Sequence, residues 1–247
     1  MVGVILKCRF IVPGSKKFRA YIDYISRTEA VRSEHFSKYS AYVGEYMDDR
    51  DKQNFVSEKV SALFTRTKNN LTQKEKEALQ KQFETAQKNL SPMWQNVISF
   101  DNRFLQEHGI YDQRTNFFDE EKLQSVTRQA MEKMLQNENM GSSAIWSASV
   151  HFNTDNLHIH IAVAEPYPTR PLKNFTIRDR EGQKKIVTQY KAALKPGTLD
   201  KMKSQVVNAI VDRSEHLKKI NDLIRDNLVG TVKNDELYAN RKFKKQY

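Results

Sequence analysis

The sequence predicts an α+β fold in which helices pack on one face of a central antiparallel sheet. Three observations carry that expectation. Short Val/Ile-rich runs alternate with longer amphipathic stretches along the 247 residues. Two of those runs, 144–152 and 157–164, are joined by only four polar residues, Asn153-Thr154-Asp155-Asn156. Such a link is hairpin chemistry and makes the two strands antiparallel neighbours. The second run also carries Leu157, Ile159, Ile161 and Val163 at alternate positions, so one of its faces needs an apolar cover and the other does not.

The elements follow in order. Gly3 to Val12, rich in Val, Ile and Phe, reads as a buried strand that stops at Pro13-Gly14. Ser15 is placed to cap a helix from Lys16 to about Arg27. Residues 28–60 give no assignable pattern. Thr72-Gln73-Lys74-Glu75 is a capping-box sequence, continued by Ala78, Leu79, Phe83 and Ala86 at helical spacing and closed by Pro92. Trp94 to Phe100 reads as a second strand and Glu121 to Gln136 as a helix carrying Leu123, Val126, Ala130 and Met134. After the hairpin, Arg178 to Gln183 turns a further, basic hairpin between 175–177 and 185–188. Thr198 caps a last helix through about Val211. Residues 1–230 are expected to form one domain, with 231–247 a basic tail or a linker to a further region.

Composition narrows the class. Lys and Arg total 41 against 30 Asp and Glu, a net charge of +11. The excess is segregated: residues 1–32 carry +5 and residues 166–199 carry +6, while 33–165 carry −4. Segregation of that kind suits a polyanionic partner, and Tyr167, Phe175 and Tyr190 among the cations of 166–199 suit stacking on unpaired bases. The longest apolar stretch, around 159–164, is far too short to cross a bilayer, and Lys7 and Arg9 interrupt the N-terminal strand, so it does not read as a secretory signal. A single cysteine, Cys8, excludes a disulfide framework and a cysteine-rich zinc site.

Of six histidines, three fall within ten residues: His151, His158 and His160. Residues two apart on a strand share a face, so His158 and His160 point together, away from the apolar stripe. The hairpin returns His151 near the level of His158, at a cross-strand separation of roughly 5 Å. Three neutral nitrogen ligands with open positions suit a catalytic metal ion; the alternative is a set of imidazoles satisfied by carboxylates or water. An imidazole-held ion beside a nucleic-acid surface points to phosphodiester chemistry. No phosphate-binding Gly-rich loop and no Gly-x-Ser-x-Gly elbow is present. The attacking group is sought on the N-terminal helix. Phe18, Tyr21, Ile22 and Ile25 share its apolar stripe, whereas Tyr24 lies about 110° from the stripe's centre. Tyr21 therefore reads as core and Tyr24 as available.

The motif His151-x6-His158-x-His160, preceded by Asp23-Tyr24-Ile25 on an N-terminal helix, resembles the relaxases of mobilisable and conjugative plasmids, in particular the MobP/MobL-type branch of the HUH endonucleases. Residues 1–32 and 144–170 carry the resemblance, with Leu194-Lys195-Pro196-Gly197-Thr198-Leu199 as lesser support. Where related sequences often have Glu-Asn-Pro before the paired histidines, this chain has Asp155-Asn156-Leu157. The resemblance implies a palm-like antiparallel sheet with an ion (Mn2+ or Mg2+, with Zn2+ as the other option) held by His151, His158 and His160. It further implies site- and strand-specific nicking and joining at an origin of transfer, with Tyr24 left as a 5′-phosphotyrosyl link.

The same resemblance implies single-stranded or hairpin DNA as partner, accessory relaxosome proteins and a location in the bacterial cytoplasm. Asp101, Asp155 and Glu165 are candidates to orient the imidazoles. Lys16, Lys17, Arg19, Arg170, Lys173, Arg178, Arg180, Lys184, Lys185 and Lys195 are candidates to hold the DNA backbone. Three other functions compete. A rolling-circle replication initiator shares the chemistry but usually places its tyrosine after the histidines. A non-catalytic single-strand-binding module would use the histidines for a structural ion. An RNA-processing metal hydrolase would leave no protein–nucleic acid adduct.

Overall fold

A computed structural model describes residues 3–13, 18–27, 61–115, 117–152, 155–178 and 182–211. The expected positions Lys16, Lys17 and Arg180, the cap at Ser15 and the stretch 231–247 lie outside the described residues. The sheet is built from β1 (Val4–Ile11), β2 (Met93–Phe100), β5 (Ile145–His151) and β6 (His158–Ala164), in the order β1-β2-β6-β5 and antiparallel throughout. Phe64 adds a bridge to Ala148 on the outer edge of β5. Pairing places His151 directly opposite His158 and Ser149 opposite His160, the register that a four-residue connection implies.

The alternation of each strand divides its residues cleanly between two faces. On one face Trp94, Ile98, Ala148, Val150, Ile159, Ile161 and Val163 are buried. They pack with Leu123, Val126, Ala130, Met131 and Met134 of α4 (Glu120–Glu138) and with Met202, Val206 and Ile210 of α5 (Thr198–Val211). This is the helical layer the sequence implies. The opposite face carries, along β6, His158, His160, Ala162 and Ala164. Over its alanine end lies a smaller unit of two helices, α1 (Phe18–Ile25) and α2 (Gln73–Lys88).

An eight-residue helix does not persist alone in water. Helix α1 is held because Phe18, Ile22 and Ile25 are fully buried against Phe83, Leu79, Ala86, Met93, Ala162 and Ala164, each large side chain worth roughly 1.5–3 kcal/mol of burial. The small side chains of Ala162 and Ala164 leave room for that approach. Polar ties from α2 fix its outer side: Lys76 Nζ and Gln80 Nε2 both reach Asp23 Oδ1, at 3.0 and 2.8 Å. Helix α2 is started by the expected box, with Thr72 Oγ1 accepting from Glu75 N at 3.3 Å and Glu75 Oε2 accepting from Thr72 N at 2.9 Å.

Other small elements were not legible. Asp101 caps a six-residue helix, α3 (Asn102–Glu107), and β3 (Tyr111–Asp112) pairs with β4 (Phe117–Phe118). The basic hairpin is longer than expected: β7 (Leu172–Arg178) and β8 (Lys184–Tyr190) form a two-stranded ribbon of their own.

Candidate functional site

The three imidazoles converge. Ring centroids of His151 and His160 are 4.5 Å apart, those of His158 and His160 5.0 Å, and those of His151 and His158 5.4 Å. One ligand nitrogen from each ring lies within 4.8 Å of the other two. Each ring has one nitrogen engaged by a neighbour. His151 Nε2–H donates to the Ile25 carbonyl at 2.9 Å and lies 3.0 Å from Ser149 Oγ. His158 Nδ1–H donates to the Asn156 carbonyl at 3.1 Å. His160 Nδ1 is 3.3 Å from the Tyr21 hydroxyl.

A carbonyl can only accept, so the first two bonds fix the tautomers: the lone pair is on Nδ1 of His151 and on Nε2 of His158. His151 Nδ1 is buried and makes no hydrogen bond. A buried nitrogen lone pair without a donor, beside two more imidazoles, fits a divalent ion. Burial also keeps the rings of His151 and His160 neutral, the form that binds metal. Desolvation, opposed at His151 by the Ile25 bond, lowers His151 to about 4, and desolvation with the neighbouring imidazoles and Arg27 lowers His160 to about 3.

Helix α1 brings both tyrosines to this cluster. The Tyr24 ring is 5.7 Å from that of His160 and 6.4 Å from that of His151, and the residue is 41% exposed. Tyr21 stacks on Tyr24 at 5.9 Å with the rings 17° apart, and is half-buried. Burial, with Tyr24 beside it, pushes the Tyr21 phenol well above the ordinary tyrosine range, so it remains protonated. Beside the rings opens a cleft of about 380 Å³ lined by Ile5, Lys7, Val97, Ser99, Asp155, Asn156, His158 and His160.

The remaining expected residues are scattered. Asp155 lines the cleft beside His158, while two backbone carbonyls, the Ser149 hydroxyl and a phenol reach the imidazoles. Asp101 Oδ1 instead accepts from Arg103 N at 2.9 Å as the cap of α3. Glu165 is buried beyond the far end of β6, accepting from the Ser143 and Thr169 hydroxyls at 2.5 and 2.6 Å, five residues or roughly 16 Å along the strand from His160. Arg170 is no surface cation: it is buried, pairs with Glu138 at 3.0 Å, donates to the Ala193 carbonyl at 2.7 Å and lies over the Trp94 ring.

Lys195 donates through its ammonium to the Asn137 carbonyl and through its backbone N–H to Glu138. Arg19 pairs with Glu84 at 3.0 Å on the outer side of α1. Lys173, Lys184 and Lys185 are exposed on the ribbon, whose β7 strand ends at Arg178. Two cations near the site escaped the sequence reading. Lys7 sits in the cleft, one strand beyond Val97, which faces His160 across the β2–β6 pair. Arg27 places its guanidinium carbon 4.3 Å from the centroid of the Tyr24 ring, with its Nε making no hydrogen bond. The period-2 position of Lys7 was the available signal for the first. Arg27 follows Ile25 by two residues, beyond the reach of the helical periodicity.

Sheet, histidine cluster and tyrosine-bearing helix define an α+β protein that presents a candidate metal site and two phenols on one sheet face. Along all of its residues, 1–247, the chain matches the family model of the MobL relaxases, and it belongs to that family. It is thus a relaxase, a DNA-nicking enzyme acting at an origin of transfer, as its motifs suggest. A comparison with the curated proteins finds no match. Among the described residues no helix is long and apolar enough to cross a membrane.

Proposed function

We propose that the protein nicks and rejoins one DNA strand by attack of the Tyr24 phenolic oxygen on a phosphodiester, assisted by a divalent ion held by His151, His158 and His160. The observation that carries the reading is the exposed Tyr24 ring within 6.4 Å of two of the three imidazoles. The bond formed is Tyr24 Oη to phosphorus and the bond broken is phosphorus to O3′; net, the phenolic proton ends on the freed 3′ oxygen. A phosphotyrosyl ester retains the energy of the diester it replaces, so the 3′-OH can reverse the step, which water attack would not permit. The ion, Mn2+ or Mg2+ in the first instance, would neutralise charge on the phosphate as the bond order shifts. Arg27, stacked on the nucleophile's ring, supplies a fixed cation beside the same phosphate, and Lys7 a second at the cleft. The exposed ribbon lysines hold the strand away from the cut.

Tyr21 is the competing nucleophile, and its burial argues against it. The decisive experiment incubates wild-type, Tyr24→Phe and Tyr21→Phe proteins with a single-stranded oligonucleotide carrying the cognate origin and Mn2+. Denaturing gels should show a protein–DNA adduct that Tyr24→Phe abolishes, and mass spectrometry should place the nucleotide on the peptide of residues 20–27. An adduct that survives Tyr24→Phe and disappears in Tyr21→Phe reverses the assignment. Cleavage without any adduct replaces it with metal-promoted hydrolysis, and binding without cleavage leaves a single-strand-binding module.

A further inference from the structure

Helix α1 does more than carry the tyrosine. Two of the groups that reach the imidazoles belong to it: the Tyr21 hydroxyl, 3.3 Å from His160 Nδ1, and the Ile25 carbonyl, 2.9 Å from His151 Nε2. Ser149 reinforces the second contact, its hydroxyl donating to the same carbonyl at 2.5 Å. The Asn156 carbonyl, which holds His158, lies on the hairpin connection beside that ring.

We propose that Tyr21 is a positioning residue that fixes His160 for metal binding, and that through Tyr21 and the Ile25 carbonyl the placement of α1 is coupled to occupancy of the metal site. The proposal rests on the metal reading given above. Its physical basis is direct. A ring nitrogen engaged by the Tyr21 hydroxyl at Nδ1 presents Nε2 as the ligand atom and loses its freedom to rotate about χ2; outer partners of this kind typically change metal affinity by 10–100-fold when removed. The same contact ties α1 to the cluster. An ion that orders the imidazoles therefore orders the helix, and by reciprocity whatever displaces the helix weakens the ion. Because Tyr21 stacks on Tyr24, the ordering extends to the nucleophile's ring. The arrangement would set the phenol in place when the ion arrives, before any DNA is bound.

The test titrates Mn2+ into the whole chain by calorimetry, without DNA. Tyr21→Phe retains the buried ring and removes only the hydroxyl. It should weaken Mn2+ binding about 10-fold or more, whereas Tyr24→Phe should leave the affinity within about twofold, its ring making no hydrogen bond to a ligand. Hydrogen exchange supplies a readout on the wild-type protein alone: Mn2+ should slow the amides of Ile22 to Ser26, whose exchange reports the order of α1. Unchanged affinity in Tyr21→Phe, or α1 amides indifferent to Mn2+, overturns the coupling while the metal site stands. Failure of the wild-type chain to bind Mn2+, Mg2+ or Zn2+ at all overturns the metal reading itself.

Discussion

Two histidines and a serine on adjacent strands show how single residues set the chemistry. His151 and Ser149 share a face of β5, His160 faces Ser149 across the pair, and the Ile25 carbonyl closes the group from above. Because burial lowers His151 to about 4 and His160 to about 3, protons compete weakly for their lone pairs. The sign follows: a lowered pKa favours the neutral ligand form, so these two rings remain ready for metal on acidification from pH 8 to pH 6. Two ordinary imidazoles with pKa about 6.5 would cost roughly 16-fold in affinity over that interval. The expected loss of Mn2+ affinity is well below that figure, and calorimetry at the two pH values measures it; a loss as large as 16-fold means the rings are ordinary. The folded apo protein has the converse cost. Its unfolded chain takes up protons below about pH 6.5 that the folded rings refuse, so stability should fall as pH drops from 6.5 through 4. The histidine triad was legible because strand alternation and a four-residue turn leave little freedom. Its holders were not, since a backbone carbonyl carries no letter in a sequence and Tyr21, which reads as core, is half-buried with its hydroxyl turned to His160.

Among the elements, α1 bears most on function and is too short to persist on its own. Its eight residues survive by burying Phe18, Ile22 and Ile25, and Ile22 directly follows Tyr21 and precedes Tyr24 by two residues. Ile22→Ala should destabilise the protein by about 2–5 kcal/mol, through lost transfer energy and the cavity left against α2 and Ala162. Urea unfolding measures that cost, and adduct formation should fall at temperatures where the fold is still intact, since α1 loosens before the sheet does. Adduct formation that tracks the folded fraction alone would mean that α1 and the sheet melt together. Thr72→Ala offers the contrast: loss of one cap should cost about 1 kcal/mol and leave nicking per folded molecule unchanged.

The longer elements were readable in the sequence because capping, periodicity and turn residues agree there. Helix α3 and the β3–β4 pair were not, since six and two residues are too few to show a period. Arg170 was misplaced for a related reason. A cation in a basic stretch reads as surface, and only the fold brings Glu138, 32 residues earlier, and Trp94 to meet it.

For the whole molecule, the +11 charge matters through where the fold puts it. The basic stretch 166–199 divides into two kinds of cation. Arg170 is buried on Glu138 and the Ala193 carbonyl, and the ammonium of Lys195, though exposed, is tied to the Asn137 carbonyl at the end of α4, whereas Lys173, Lys184 and Lys185 stand exposed on the β7–β8 ribbon. The charge count was legible in the sequence and that division was not, because ion pairs across long separations appear only with the fold. If the exposed three each neutralise a phosphate, every one contributes about 0.7 to the slope of log affinity against log salt for single-stranded DNA. Replacing all three with alanine should then reduce the slope by roughly 2 and weaken binding most at low salt. Mn2+ affinity should be unaffected, because the ribbon pairs only with itself and the ion site lies on the main sheet. Fluorescence anisotropy of a labelled origin oligonucleotide at several salt concentrations gives both slopes. An unchanged slope would remove the ribbon from the DNA path and leave Lys7 and Arg27, beside the cleft and the tyrosine, as the described cations that meet the strand.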